Sequence, residues 1–143
     1  TREKDEGLYQ ENAQNRKQED MQKRCELISS TSPLLSVSIH QNSYNDPQVK
    51  GPQVFYYEHS VQGEKLASCI QEQMNIQLQV ENPRSVKSNG SYYLLKKSEG
   101  VLNIVECGFL TNPEEAEKLQ TEEYQEQIAK AITDGILQYL NTD

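Results

Sequence analysis

Hydrophobic positions along this chain switch repeatedly between a spacing of two and a spacing of three or four, the periods that distinguish strands from helices. Leu35, Val37 and Ile39 alternate with Ser36, Ser38 and His40, which predicts a strand whose second face carries only small residues until it reaches the histidine. Val101, Leu102, Ile104 and Val105 make a nearly continuous apolar run, the pattern of an interior strand covered on both faces and ending at Glu106. Residues 53–58 are expected to form another strand, and residues 92–95 a short one.

The helical segments announce themselves through caps as well as stripes. Ser60 is placed to cap a helix whose Leu66, Ala67, Ile70, Met74 and Leu78 share one face, with Asn82-Pro83 as the stop. Asn112-Pro113-Glu114-Glu115 supplies a side-chain cap, a proline at the first helical position and a glutamate at the third, predicting a short helix there. Thr121 opens the last helix, in which Tyr124, Ile128, Ala131, Ile132, Gly135, Ile136, Tyr139 and Leu140 keep the three-four spacing. Residues 8–28 are far more polar. Ala13, Lys17, Met21, Cys25 and Ile28 give them a thin stripe, so a surface helix with a narrow contact is expected, broken by the hydroxyl residues and proline of 29–33. Strands alternating with amphipathic helices predict an α/β domain with a mixed, largely parallel sheet and helices on both faces.

Composition narrows the functional classes. A chain of 143 residues with 34% hydrophobic side chains suits one domain with a modest core. Its 22 acidic against 14 basic side chains, a net charge of −8, oppose a nucleic-acid partner, which needs clustered Lys and Arg. No apolar run approaches the roughly 18–20 residues required to span a bilayer. Cys25, Cys69 and Cys107 are odd in number and widely separated, so they read as buried thiols rather than a disulfide framework or a thiolate metal site. The Gly-rich phosphate loops of nucleotide-binding folds are absent from the sequence.

Candidate chemistry concentrates at two positions. His40 and Glu106 each stand where an apolar strand gives way to a polar loop, and open α/β sheets place their ligand crevice outside the C-terminal strand ends. If the two strands are parallel neighbours, an imidazole able to bind a metal meets a carboxylate able to take a proton, a pairing suited to metal-assisted hydrolysis. One histidine and one carboxylate are by themselves too few to specify a metal site. Either residue alone also suits an ordinary structural role. The other histidine, His59, is expected to be exposed and incidental.

The residues around both positions resemble a known family. Ser38-Ile39-His40-Gln41-Asn42 is similar to the Ser-Ile-His-x-Asn segment of the zinc-dependent N-acetylmuramoyl-L-alanine amidases, and residues 105–112, Val-Glu-Cys-Gly-Phe-Leu-Thr-Asn, are similar to their Val-Glu-x-Gly-Phe-Leu-Ser/Thr-Asn segment. The likeness extends to Thr1-Arg2 as the end of an upstream strand, to the Gly-x-x-x-Phe-Tyr pattern of residues 51–57, to Arg84, Val86 and Lys87, and to the last helix. It leans toward the sporulation-associated members.

This resemblance implies a cell-wall hydrolase that cleaves the amide between N-acetylmuramic acid and L-alanine in peptidoglycan. It implies zinc as cofactor, His40 as a zinc ligand and Glu106 as catalytic base. Asn42 and Arg84 become candidates for contact with the carboxylated glycopeptide, and an extracytoplasmic location at the cell wall follows. The family's other two ligands, a histidine in a Gly-His-Gly loop and a glutamate, have no counterpart among these residues. Residues 1–143 are therefore expected to be the C-terminal portion of one amidase catalytic domain, without its N-terminal strand and helix. Alone they are expected to be inactive, marginally stable and left with an uncovered sheet edge. The alternative is a non-catalytic peptidoglycan-binding or regulatory module that keeps the amidase fold.

Overall fold

The computed structural model describes residues 7–142. The elements run α1 (Arg16–Thr31), β1 (Ser36–Asn42), β2 (Gln53–Tyr57), α2 (Val61–Gln77), β3 (Lys87–Asn89), α3 (Tyr93–Lys97), β4 (Leu102–Phe109), α4 (Pro113–Lys118) and α5 (Glu122–Leu140). The strands form one four-stranded sheet in the order β1-β4-β2-β3. β1 lies parallel to β4 and β2 parallel to β3, while β2 and β4 are antiparallel, giving the mixed, mostly parallel sheet that the sequence predicts. Thr1-Arg2, read as the end of an upstream strand, lie outside the described residues.

The last strand of the chain thus sits inside the sheet, and its alternation divides the protein into two layers. Val105 and Cys107 face one way, into a cluster with Val54, Leu66, Ile70 and Met74 and with Ile128 and Ile132 of α5. Leu102 and Ile104 face the other way, toward Leu94 and Leu95 of α3 and the partly buried Met21, Cys25 and Ile28 of α1. On the first side Leu66, Ala67, Ile70 and Met74 are fully buried, which removes apolar surface worth about 1.5–3 kcal/mol for each large side chain. α2 and α5 pack there almost backbone to backbone. A Cβ at Gly135 would lie 2.5 Å from Ile70 Cα, so only glycine permits this approach.

The caps form as the sequence proposes. Ser60 accepts the Gly63 N–H at 2.9 Å, Asn112 the Glu115 N–H at 3.0 Å, and Thr121 the Tyr124 N–H at 3.4 Å. Other expectations need correction. The first helix starts at Arg16 rather than near residue 8, because Asn15 caps it by accepting the Gln18 N–H. α2 stops at Gln77, ahead of Asn82-Pro83, and Gln79 then takes a left-handed backbone with φ of 52°.

Residues 92–95 are not a strand. Asn89 Oδ1 accepts the N–H groups of Ser91 and Tyr92, turning the chain into α3, where the consecutive Leu94 and Leu95 are both buried. Two adjacent buried side chains suit a helix face, whereas a strand would send them to opposite sides. β4 does not end at Glu106 but continues to Phe109. Of the three thiols only Cys107 is buried, Cys25 and Cys69 being partly exposed.

β1 has a single strand neighbour among the described residues, β4, and its Ile39 stands 59% exposed.

Candidate active site

His40 and Glu106 are direct partners in the parallel β1–β4 register, as Ser38 and Ile104 are one step earlier. Because side chains alternate along each strand, Ser38, His40, Ile104 and Glu106 share one face, the one under α1 and α3. That face opens into a cavity of about 660 Å³, whose walls include His40 and Glu106 from the sheet, Gln18 and Met21 from α1, and Tyr92 and Tyr93 at the start of α3. Ser38 Oγ lies 2.8 Å from His40 Nε2.

The setting moves both groups away from their ordinary protonation behaviour. Burial raises the Glu106 carboxyl above its usual range, because little solvent stabilises the ionised form. Glu106 Oε2 is buried and has no hydrogen-bond partner among the described residues. Burial also lowers the His40 pKa, and the positive charge of Arg24 on α1 lowers it further. Near neutral pH the imidazole is therefore neutral, and the Glu106 carboxyl holds a proton more strongly than an exposed glutamate does. The first suits a metal ligand and the second a general base.

The other two candidate residues stand elsewhere. Asn42 lies beyond a register shift in β1; its Oδ1 accepts the Ser43 N–H at 2.8 Å and its carbonyl the Leu110 N–H at 2.8 Å. Arg84 donates to the Lys50 carbonyl at 3.0 and 3.3 Å and lies over the Phe109 ring, 5.3 Å from its centroid. Neither lines the cavity that holds His40 and Glu106. His59 is 73% exposed beside Glu58.

One residue that fixes the end of β4 reads in the sequence only as a helix-capping glutamate. Glu115 is buried, and its carboxylate accepts the Phe109 N–H at 2.7 Å and the Gly51 N–H at 2.8 Å. It ties the end of β4 to the approach to β2. A Cβ at Gly108 would come within 3.2 Å of that carboxylate, which explains the glycine in Cys107-Gly108-Phe109. A glutamate at the third helical position reads as half of a capping box, and only the fold shows that its side chain turns back to the strand. The cavity walls from Gln18, Tyr92 and Tyr93 were missed for another reason: they come from segments without a recognisable motif.

Among the described residues no group of three His, Cys, Asp or Glu side chains could hold a metal ion. His40 and the orphaned oxygen of Glu106 nevertheless fit such a site in part, as one nitrogen ligand beside a buried acceptor.

A sequence profile of N-acetylmuramoyl-L-alanine amidases matches residues 1–138. The chain belongs to this amidase family. It is 35% identical to the germination-specific N-acetylmuramoyl-L-alanine amidase of Bacillus subtilis over 142 residues, covering 97% of this chain and 60% of that protein. Among solved amidase structures, CwlD from Clostridioides difficile in complex with the GerS lipoprotein superposes with a TM-score of 0.95 at 37% identity, covering 99% of this chain and 74% of CwlD. An N-acetylmuramoyl-L-alanine amidase from Clostridium difficile 630 superposes with a TM-score of 0.79 at 31% identity, covering 86% of this chain and 66% of that one. The chain thus spans only part of the length of its amidase relatives.

Proposed function

We propose that residues 1–143 are the C-terminal portion of a single amidase catalytic domain that hydrolyses the amide between N-acetylmuramic acid and L-alanine in peptidoglycan. The observation that carries this reading is the register pairing of His40 with Glu106 on the wall of a cavity about 660 Å³ in volume. His40, held neutral, offers a ring nitrogen as one protein ligand to zinc. Zinc, when bound, supplies polarisation of the scissile carbonyl and acidifies water toward a pKa of about 7. Glu106 takes a proton from the attacking water and passes it to the departing amine. The C–N bond breaks, leaving a carboxylate on the lactyl side and a free amino group on L-alanine. The raised proton affinity of Glu106 favours the first of these transfers, the uptake of the proton from water.

Catalytic zinc needs about three protein ligands, and the described residues offer His40 as one, so the remainder of the domain is expected to supply the histidine and glutamate that the resemblance implies. The 143 residues alone are therefore expected to be inactive. The reading extends to action outside the cytoplasm, at the cell wall, which membership of the amidase family supports, and the germination-specific relative supports a sporulation-associated role. Asn42 and Arg84, being outside the cavity, can meet only the more distant parts of a glycopeptide.

The test uses the full-length protein, zinc analysis and the release of new amino groups from peptidoglycan. Glu106→Ala should keep zinc and lose turnover, whereas His40→Ala should lose zinc itself. Equal zinc loss in both variants would overturn the roles assigned. Peptidoglycan binding by the unaltered protein without any amine release would instead identify a non-catalytic wall-binding module.

A further inference from the structure

We infer that the cavity beside His40 and Glu106 is the subsite for the N-acetylmuramoyl sugar, with Tyr92 as the aromatic wall against which the pyranose ring packs, so that the stem peptide points away from it. The inference rests on the amidase reading and concerns which arm of the substrate enters the cavity.

Tyr92 is a wall already in place without a ligand. Asn89 Oδ1 accepts its backbone N–H at 2.7 Å and that of Ser91 at 2.8 Å, which fixes the turn that carries it. Its ring lies 5.4 Å from that of the buried Phe55, tilted by 56°, a favourable aromatic pairing. Yet 39% of Tyr92 stays exposed, and the residue lines the cavity. A tyrosine that served only to cover Phe55 would gain stability by burying that surface as well. The hydroxyl groups of Tyr92 and Tyr93, both on the cavity wall, have no hydrogen-bond partner among the described residues. A ring held on its backbone and on one face loses little freedom when a ligand packs against it.

Charge decides between the two arms. Once its lactyl carboxyl is part of the amide, the glycan arm is uncharged and offers an apolar C–H face, hydroxyl groups and an acetamido group. The peptide arm carries carboxylates. Glu106 stands on the cavity wall with a buried oxygen that has no partner, and the exposed Lys17 is the one cation among the described lining residues. A carboxylate entering here would meet Glu106 with no buried cation to offset its desolvation. The neutral lining suits the sugar instead. Tyr92, Tyr93 and the Met21 thioether supply apolar surface for the ring face, while the Gln18 amide and the tyrosine hydroxyls can bond its polar groups. The volume of about 660 Å³ lies within the range of about 300–1,000 Å³ usual for small-molecule sites.

The experiment uses the full-length protein. Ligand-observed NMR compares N-acetylmuramoyl methylamide, which is the glycan arm closed as an amide, with the dipeptide L-Ala-D-Glu from the peptide arm. On the unaltered protein the pyranose protons should move upfield under the ring current of Tyr92. Tyr92→Ala should weaken binding of the sugar probe about 10-fold, as truncation of a packed aromatic anchor does, and Tyr92→Phe, which keeps the ring, should retain most of it. In hydrolysis, Tyr92→Ala should raise KM for a muramoyl peptide by a similar factor and leave KM for a lactoyl peptide without the sugar unchanged. Sugar signals without upfield shifts would overturn the proposal, and such shifts on the dipeptide instead would assign the cavity to the peptide arm. Equal KM changes for the two substrates would overturn it too. The NMR comparison on the unaltered protein decides even where Tyr92→Ala does not fold. If the unaltered protein releases no amino groups from peptidoglycan, the amidase reading itself fails; if it does and Tyr92→Ala binds the sugar probe normally, only the role of Tyr92 fails.

Discussion

Against the α2–α5 face of the sheet, Leu66, Ala67, Ile70 and Met74 lose all contact with solvent, whereas α1 on the opposite face has no buried residue. The first side is packed backbone to backbone at Gly135 and closed further by Gln71, which is buried and accepts the Val54 N–H at 2.8 Å. On the second side α1 reaches the sheet through the partly buried Met21, Cys25 and Ile28, the short α3 adds Leu94 and Leu95, and the cavity beside His40 and Glu106 is left between them. A strand pair held from below keeps two functional groups in register while the space above them stays open. Stability and chemistry are thus divided between two faces of the same strands.

That division can be broken or sharpened by substitution in the full-length protein. The largest expected effect is on rate: Glu106→Ala should reduce amide hydrolysis about 10²–10⁴-fold, the usual contribution of a general base, with little change in the urea midpoint. A midpoint that collapses with the activity would mean that Glu106 also supports the fold. Next comes Ile70→Ala on the packed face, expected to cost about 2–5 kcal/mol in denaturant unfolding. Gly135→Ala should cost about 1–3 kcal/mol, because the new methyl meets the backbone of Ile70 rather than a movable side chain. Met21→Ala on the thin face is expected to cost only about 1 kcal/mol, since that side chain is partly exposed. Equal costs at Met21 and Ile70 would erase the contrast between the faces.

The smallest effect is electrostatic and depends on pH. Glu106 has a folded-state pKa above its ordinary 4.5, so its ionised form opposes folding. This opposition is absent below pH 4.5 and grows as pH rises through the folded pKa. In the metal-free protein, Glu106→Gln should therefore match the unaltered chain in acid and exceed it in stability near neutrality. His40 works in the other direction. Its folded pKa lies below 6.5, so it opposes folding only when protonated, as pH falls from 6.5 through that lowered value. A Glu106→Gln difference that does not vary with pH would mean that the carboxylate is not desolvated as described.

Much of this was legible along the chain because local rules governed it. Ser60, Asn112 and Thr121 cap helices through bonds to N–H groups three residues ahead, so short spacing in sequence is also short spacing in space. The alternation of Leu35, Val37 and Ile39 and the stripe of α5 likewise follow from backbone geometry alone. The failures have a different origin. Residues 92–95 carry aromatic and aliphatic side chains that suit a strand, but Asn89 starts a turn and the sheet needs Leu94 and Leu95 together on one face. β4 passes Glu106 because its pairing with β1 runs on to Asn42 and Phe109, although its pairing with β2 stops at Glu106.

The two candidate catalytic positions divide in the same way. Residue type, motif and strand period mark His40 and Glu106 along the chain, because an imidazole and a carboxylate are conspicuous at the ends of apolar runs. Their meeting required the parallel pairing of strands 66 residues apart in sequence, from His40 to Glu106. So did the hydrogen bonds of Glu115 to Gly51 and Phe109, the separation of Arg84 and Asn42 from the cavity, and the burial that shifts both protonation equilibria. Caps, turns and periods are settled over a few residues by backbone sterics and hydrogen bonding. Proximity and desolvation arise only when distant segments exclude water from one another.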